Sequence, residues 1–156
     1  MVEFGIEPLI IAQPAIETLI PAQWLHTGDQ GIDPNPNWML YHQFAQRDAL
    51  MVVMAREFDV PVGYLAAFLY PHPNAMSVKI ASIPTYYVAE RPTRALILAR
   101  MVDYTIERLL ERGIYKVDIE TNADFSAGRL WELKGFKLKK LGYSLQLERP
   151  AGERYA

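Results

Sequence analysis

Between Tyr86 and Gly113 the chain reads YYVAERPTRALILARMVDYTIERLLERG, a β-rich start joined to a long helical run through a basic turn that contains no glycine. Leu98, Val102, Ile106, Leu109 and Leu110 recur on one helical face. Arg100, Asp103, Glu107, Arg108 and Glu111 are spread over the others. That separation is the signature of a helix packed on one side, and Gly113 supplies its stop. The run that follows, IYKVDIETN, alternates Tyr115, Val117 and Ile119 against Lys116, Asp118 and Glu120, as a strand with two unlike faces does. Strand, helix and strand in succession call for a mixed α/β layer.

The remaining segments extend that layer. ALMVVMAREFD and VGYLAAFLYPHPN are β-rich runs joined by a tight connection, which predicts an antiparallel hairpin. A third run, MSVKIASIPTYYVAE, holds Pro84, so a bulge, bend or edge is expected where that residue cannot donate. Apolar positions between 8 and 27 fall at helical spacing but are interrupted by Pro14 and Pro21, which predicts one or two short helices. TGDQGIDPNPN has the chemistry of a mobile loop, and a short helix with Trp38, Tyr41 and Phe44 or Ala45 on one face follows it. FSAGRLWELKG predicts another short helix, and FKLKKLGYSLQLER a last strand. The expected order is helix, three strands, helix, strand, helix, strand.

Composition narrows the function classes. The 156 residues suit one domain, expected to comprise N-terminal helices and a loop in 1–48, a core sheet with its long helix in 49–149, and a tail in 150–156. A net charge of −2 gives no general attraction to nucleic acid or anionic lipid, so neither is an expected partner. The absence of cysteine excludes thiol catalysis, thiolate metal sites and disulfides, and fits a cytoplasmic protein. His26, His42 and His72 share no metal-ligand spacing, so no metal is expected. The N-terminus lacks the features of a targeting peptide, and no apolar run is long enough to span a membrane.

The joint ERPTRAL carries the chemical signal. A helix that starts directly after a strand offers unpaired N–H groups and the positive end of its dipole, and both suit a phosphate. Arg91 and Arg94 add positive charge, Thr93 a hydroxyl, and Pro92 a fixed turn. Cations at a helix N-terminus are disfavoured unless an anion is present, so the two arginines themselves argue for one.

This joint, within this order of elements, resembles the GNAT family of acyl-CoA-dependent N-acyltransferases. In that family a strand ending in Tyr-Val leads into a turn whose amides cradle the CoA pyrophosphate. The matching positions are Tyr87, Val88, Arg91, Pro92, Thr93, Arg94, Ala95 and Leu96. LWELKGFK is similar to the family's helix-to-strand turn, and the resemblance covers residues 38 to 148. The stretch NPNWMLYHQFAQRDALMVVMAREFDVPVGYLAAFLYPHPN resembles the bacteriophage-encoded type, which would imply host cytoplasm or the virion as its location.

The resemblance implies a mostly antiparallel sheet with a splayed parallel strand pair and helices on both faces. Acetyl-CoA would be the co-substrate, bound between strands ending at Val88 and Asn122, and a small-molecule or protein amine the acceptor. Tyr87, Val88 and Ala89 would bond the pantetheine arm, Arg91 to Leu96 the pyrophosphate, and Asn122 with Trp131 would flank the thiol. Arg94 and Leu96 stand where small residues are usual, and Trp131 where many members carry a tyrosine that protonates the thiolate, a task for which an indole N–H is too weakly acidic. The acid–base candidates are Glu120, Ser82 and, as a substitute acid, Tyr143. An alternative is a catalytically inert structural, assembly or interaction protein of the same fold, in a homodimer or a phage particle.

Overall fold

The computed structural model describes residues 1–28, 31–122 and 127–147. The elements are β1 (Val2–Ile6), α1 (Leu9–Thr27), α2 (Trp38–Gln46), β2 (Leu50–Glu57), β3 (Val60–His72), β4 (Ala75–Val88), α3 (Arg94–Glu111), β5 (Lys116–Ile119) and α4 (Gly128–Leu133). The five strands form one sheet in sequence order. β1 to β4 are antiparallel neighbours, and β5 pairs in parallel with β4, from Ile80↔Lys116 to Ile83↔Ile119.

The unbroken apolar run of β2 has a direct cause. Met51, Val53 and Ala55 enter one core with Ile97, Met101, Val102 and Leu109 of α3 and Trp131 of α4. Leu50, Val52 and Met54 enter a second core, against Leu9, Ala12, Ile16 and Leu19 of α1. A strand covered on both faces needs no polar alternation.

The β2–β3 hairpin turns through Phe58 and Asp59, with φ values of 50° and 64°. Two left-handed residues give the twist that a two-residue hairpin favours, here without glycine. At the end of α3, Gly113 takes φ 77°, its amide donates to the Leu110 carbonyl, and the Ile114 amide donates to Leu109. That pair of bonds is the Schellman stop expected of Gly113.

Several expectations are corrected. In place of one or two short helices over 8 to 27, Leu9–Thr27 forms one helix of 19 residues with Pro14 and Pro21 inside it, both on its exposed side. Val2–Ile6, which carried no expectation, is a strand that places Val2 and Phe4 against the α3 core. The buried stripe of α3 is Ile97, Met101, Val102, Thr105 and Leu109, while Leu110 is exposed, because the helix meets the sheet about one position earlier than the apolar spacing suggested. No strand is assigned within 136–147 of the expected last strand, and 148 and 149 lie outside the described residues. Leu138, Leu141, Tyr143, Leu145 and Leu147 are all exposed there. Alternation alone does not make a strand without a neighbour to pair with. Phe125 and Ser126 of the expected short helix, and Asp29 and Gln30 of the expected loop, also lie outside the described residues.

Candidate functional site

Pro84 shapes the site. Phe68 of β3 faces Ser82 and Ala66 faces Thr85, so β4 carries one extra residue at Ile83–Pro84. A bulge bends the strand and increases its twist. Pairing with β5 stops at the same place, with Ile83↔Ile119 and a last bond from the Glu120 amide to the Ile83 carbonyl. Beyond it the two strands part and leave a wedge that opens into a cavity of about 1220 Å³.

The edge of β4 facing that wedge follows from its ladder. The Ala89 amide donates to the Val62 carbonyl at 2.8 Å, and Tyr87 faces Tyr64, which turns the odd-numbered backbone groups toward β3. Alternation turns those of Tyr86 and Val88 into the wedge. The amides of Tyr87 and Ala89 are thus committed to β3.

At the wedge's outer end α3 begins. Pro92, Arg94 and Ala95 line the cavity, as do Tyr87 and Val88. The Arg94 amide donates to Arg91 and that of Ile97 to Thr93, whereas the amides of Ala95 and Leu96 have no backbone acceptor among the described residues. The Arg94 guanidinium lies 5.4 Å from the Tyr87 ring centroid, a cation–π distance. Leu96 is 52% exposed and does not line the cavity, and no residue from 91 to 96 has positive φ. The turn therefore needs no glycine for its backbone, and the leucine does not crowd its mouth. Arg91 has a different role: it is held by Glu57 at 2.8 Å and ties the joint to the end of β2. Thr93 is exposed and makes no side-chain cap bond.

On the α1 face, three polar groups that the sequence did not single out meet under the same cavity. The Tyr64 hydroxyl donates to Gln23 Oε1 at 2.5 Å, the Gln23 amide donates to Thr85 Oγ1 at 3.2 Å, and the Tyr64 and Thr85 hydroxyls are 3.4 Å apart. Burial raises the Tyr64 pKa above the ordinary tyrosine value, against the opposing effect of these bonds. Trp24, His26, Tyr41, Pro34, Asn35 and Pro36 complete this side. Tyr64 and Thr85 lie within β-rich runs, but nothing in a helical glutamine marks it as a cavity residue.

The acid–base candidates separate in space. Glu120 and Asn122 line the cavity at the end of β5, whereas Ser82 lies in the paired part of β4, outside it. Tyr143 is 95% exposed and lies outside the cavity lining. Trp131 is 4% exposed, packed in the α3 core and edge-on to the Tyr86 ring at a centroid distance of 5.3 Å. Tyr86 itself reaches across the wedge and donates to the Glu120 carbonyl at 2.7 Å. His42 bonds Gln13, and the His72 ring nitrogen accepts from the Asn74 amide. Among the described residues no group of three or more His, Asp or Glu side chains could hold a metal ion, and no helix is long and apolar enough to cross a membrane.

No family model matches the chain, and no curated protein matches it. Solved structures do. A transcriptional regulator from Bacillus halodurans superposes with TM-score 0.74 at 18% identity, over 94% of this chain and 100% of that one. Ribosomal-protein-alanine N-acetyltransferase from Brucella melitensis gives 0.72 at 18%, over 95% and 99%. A predicted acetyltransferase from Clostridium acetobutylicum, solved with acetyl-CoA, gives 0.70 at 16%, over 94% and 97%. Near-complete coverage in both directions, with the antiparallel sheet, the parallel β4–β5 pair and the wedge between them, shows that this chain has the GNAT fold.

Proposed function

We propose that the protein is an N-acetyltransferase that takes acetyl-CoA into the β4–β5 wedge and transfers its acetyl group to an amine. One observation carries this reading: the wedge edge of β4 leads directly to a helix start with two unpaired amides and the Arg94 guanidinium. The inner part suits an amide-bearing arm, and the outer part a diphosphate. Neighbours of the same fold include an acetyltransferase with acetyl-CoA and the ribosomal-protein enzyme, which supports the reading.

The residues present fit the co-substrate. Tyr86 and Val88 amides would bond the pantetheine arm and polarise the thioester carbonyl, and Ala95, Leu96 and Arg94 would hold the pyrophosphate. The amine would approach from the α1 side, across Tyr64 and Thr85, and attack directly. Holding the two reactants in line supplies much of the acceleration, because it removes the entropy cost of encounter. Glu120 at the cavity wall is the base candidate, directly or through water.

Calorimetric titration with acetyl-CoA, paired with a thermal shift, tests the reading, since a ligand of the folded state raises the melting temperature by mass action. Arg94→Ala should weaken CoA about tenfold, the worth of a charge-assisted bond, and leave a phosphate-free pantetheine nearly unchanged. Arg91→Ala should loosen the joint through Glu57 and affect both ligands. No binding at millimolar CoA would overturn the enzyme and favour the assembly or interaction protein.

A further inference from the structure

The buried indole of Trp131 leaves helix α4 without a side chain able to protonate a departing thiolate in the wedge. Resting on the acetyltransferase reading, we infer that Tyr86 of β4 is the proton donor to the CoA sulfur.

Position comes first. Tyr86 lines the cavity and spans the gap where β4 and β5 part, and its hydroxyl lies 2.7 Å from the Glu120 carbonyl. It lies five positions before Arg91, where the proposed anion-binding turn starts, a stretch of at most about 18 Å. An extended pantetheine arm laid along β4 from that turn would run toward Tyr86. Its own backbone amide also faces the wedge, so one residue reaches both the thioester carbonyl and the sulfur.

Surroundings come second. The Trp131 ring edge holds the Tyr86 ring from behind. The indole nitrogen is buried with no hydrogen-bond partner at bonding geometry among the described residues, yet it lies near enough to the phenol oxygen to favour its ionised form, as does Thr121. Burial, the largest influence, and the Glu120 carboxylate act the other way and keep the phenol protonated at rest. The remaining charged or titratable groups around the cavity are Arg129 of α4, Glu90 and Arg94 of the joint, His26 of α1, and the tyrosines Tyr41, Tyr64 and Tyr87. Residue 131 thus steadies the acid rather than being it.

The step balances. Amine nitrogen attacks the thioester carbon and forms C–N; the tetrahedral intermediate collapses, C–S breaks, and its electron pair goes to sulfur. The Tyr86 hydroxyl releases Glu120 and gives its proton to that sulfur. The proton shed by the acceptor nitrogen passes to the Glu120 carboxylate, directly or through water, and on to solvent, and the phenolate recovers one from solvent.

The test needs no acceptor. CoA in its thiol form is bound, and thiolate absorbance in the ultraviolet is followed as pH rises. A phenol donating to the sulfur stabilises the thiolate, so Tyr86→Phe should raise the bound thiol's pKa by about one to two units, the worth of one bond to a charged group. Affinity for desulfo-CoA should be unchanged. Trp131→Phe, which keeps the ring edge and removes the N–H, should shift the thiol in the same direction by less. An unchanged thiol pKa in Tyr86→Phe overturns the assignment. Equal loss of CoA and desulfo-CoA also overturns it and makes Tyr86 a strut. Failure of the unaltered protein to bind CoA at all refutes the acetyltransferase reading instead.

Discussion

Gly63→Ala puts a methyl group where β3 lies tight against β4. A Cβ at Gly63 would lie 2.7 Å from the Tyr87 carbonyl oxygen, 3.2 Å from Val88 Cγ2 and 3.3 Å from Val88 Cα. Ordinary contact begins at 3.4 Å, so the strands must open by about 0.7 Å at the oxygen. That oxygen is backbone, fixed by the ladder between Tyr64↔Tyr87 on one side and the Ala89–Val62 bond on the other. Overpacking of this kind costs about 1–3 kcal/mol. In a domain of this size it lowers the melting temperature by about 2–12 °C.

Gly5→Ala is the matched control: it is also a strand glycine, but its added Cβ meets nothing within 4 Å. It should be neutral or stabilising by up to about 1 kcal/mol, through the less flexible unfolded chain. Urea unfolding of both variants gives the comparison. The opening also falls on Tyr87 and Val88, so CoA affinity should drop with stability in Gly63→Ala and hold in Gly5→Ala. If the two variants unfold at the same urea concentration, the close approach is not a constraint and the reasoning fails.

Two further outcomes follow from the fold. Phe58 is 87% exposed at φ 50°, so Phe58→Gly should relieve a left-handed strain of about 1 kcal/mol without loss of packing, read as a higher urea midpoint. Tyr64 has a folded-state pKa raised above the ordinary 10.0, chiefly by burial. Its contribution is therefore intact below that pH and is lost as pH rises through the folded value. Tyr64→Phe should flatten the alkaline fall in stability, while at neutral pH it costs about 1–3 kcal/mol by leaving Gln23 short of a partner. Denaturant titrations at several pH values separate the two effects.

The long helix, its glycine stop, the hairpin and the Pro84 irregularity were legible because each rests on local chemistry. The joint after β4 was legible for the same reason, since a strand, a basic turn and a helix start are contiguous. What the sequence hid depends on which segments meet in space. Arg91 and Arg94 look equivalent as letters, yet only one faces the cavity, because Glu57 on another strand takes the other. Gln23, Tyr64 and Thr85 are far apart in the chain and meet only once α1 crosses the sheet. Tyr86 and Tyr87 are adjacent and both line the cavity, but the strand pleat sends Tyr86 to the α3 side and Tyr87 to the α1 side. Residues 136–147 have a strand's alternation, but no number of leucines supplies the neighbouring edge.

The two prolines of α1 set the shape of that crossing. Each lacks the N–H that would bond four residues back, so the Ile10 and Glu17 carbonyls lose their intrahelical partners. Ile10, Pro14, Glu17 and Pro21 are all exposed, so water can take up those carbonyls. Seven residues at 3.6 per turn come within about 20° of two full turns. Both gaps therefore open on the same side, and their bends add instead of cancelling. Proline bends at the two gaps would curve the helix toward the face it buries, the side on which Gln23 meets Tyr64 and Thr85. Restoring both missing N–H groups would remove that curvature and shift Gln23 relative to Tyr64 and Thr85, two residues that line the cavity.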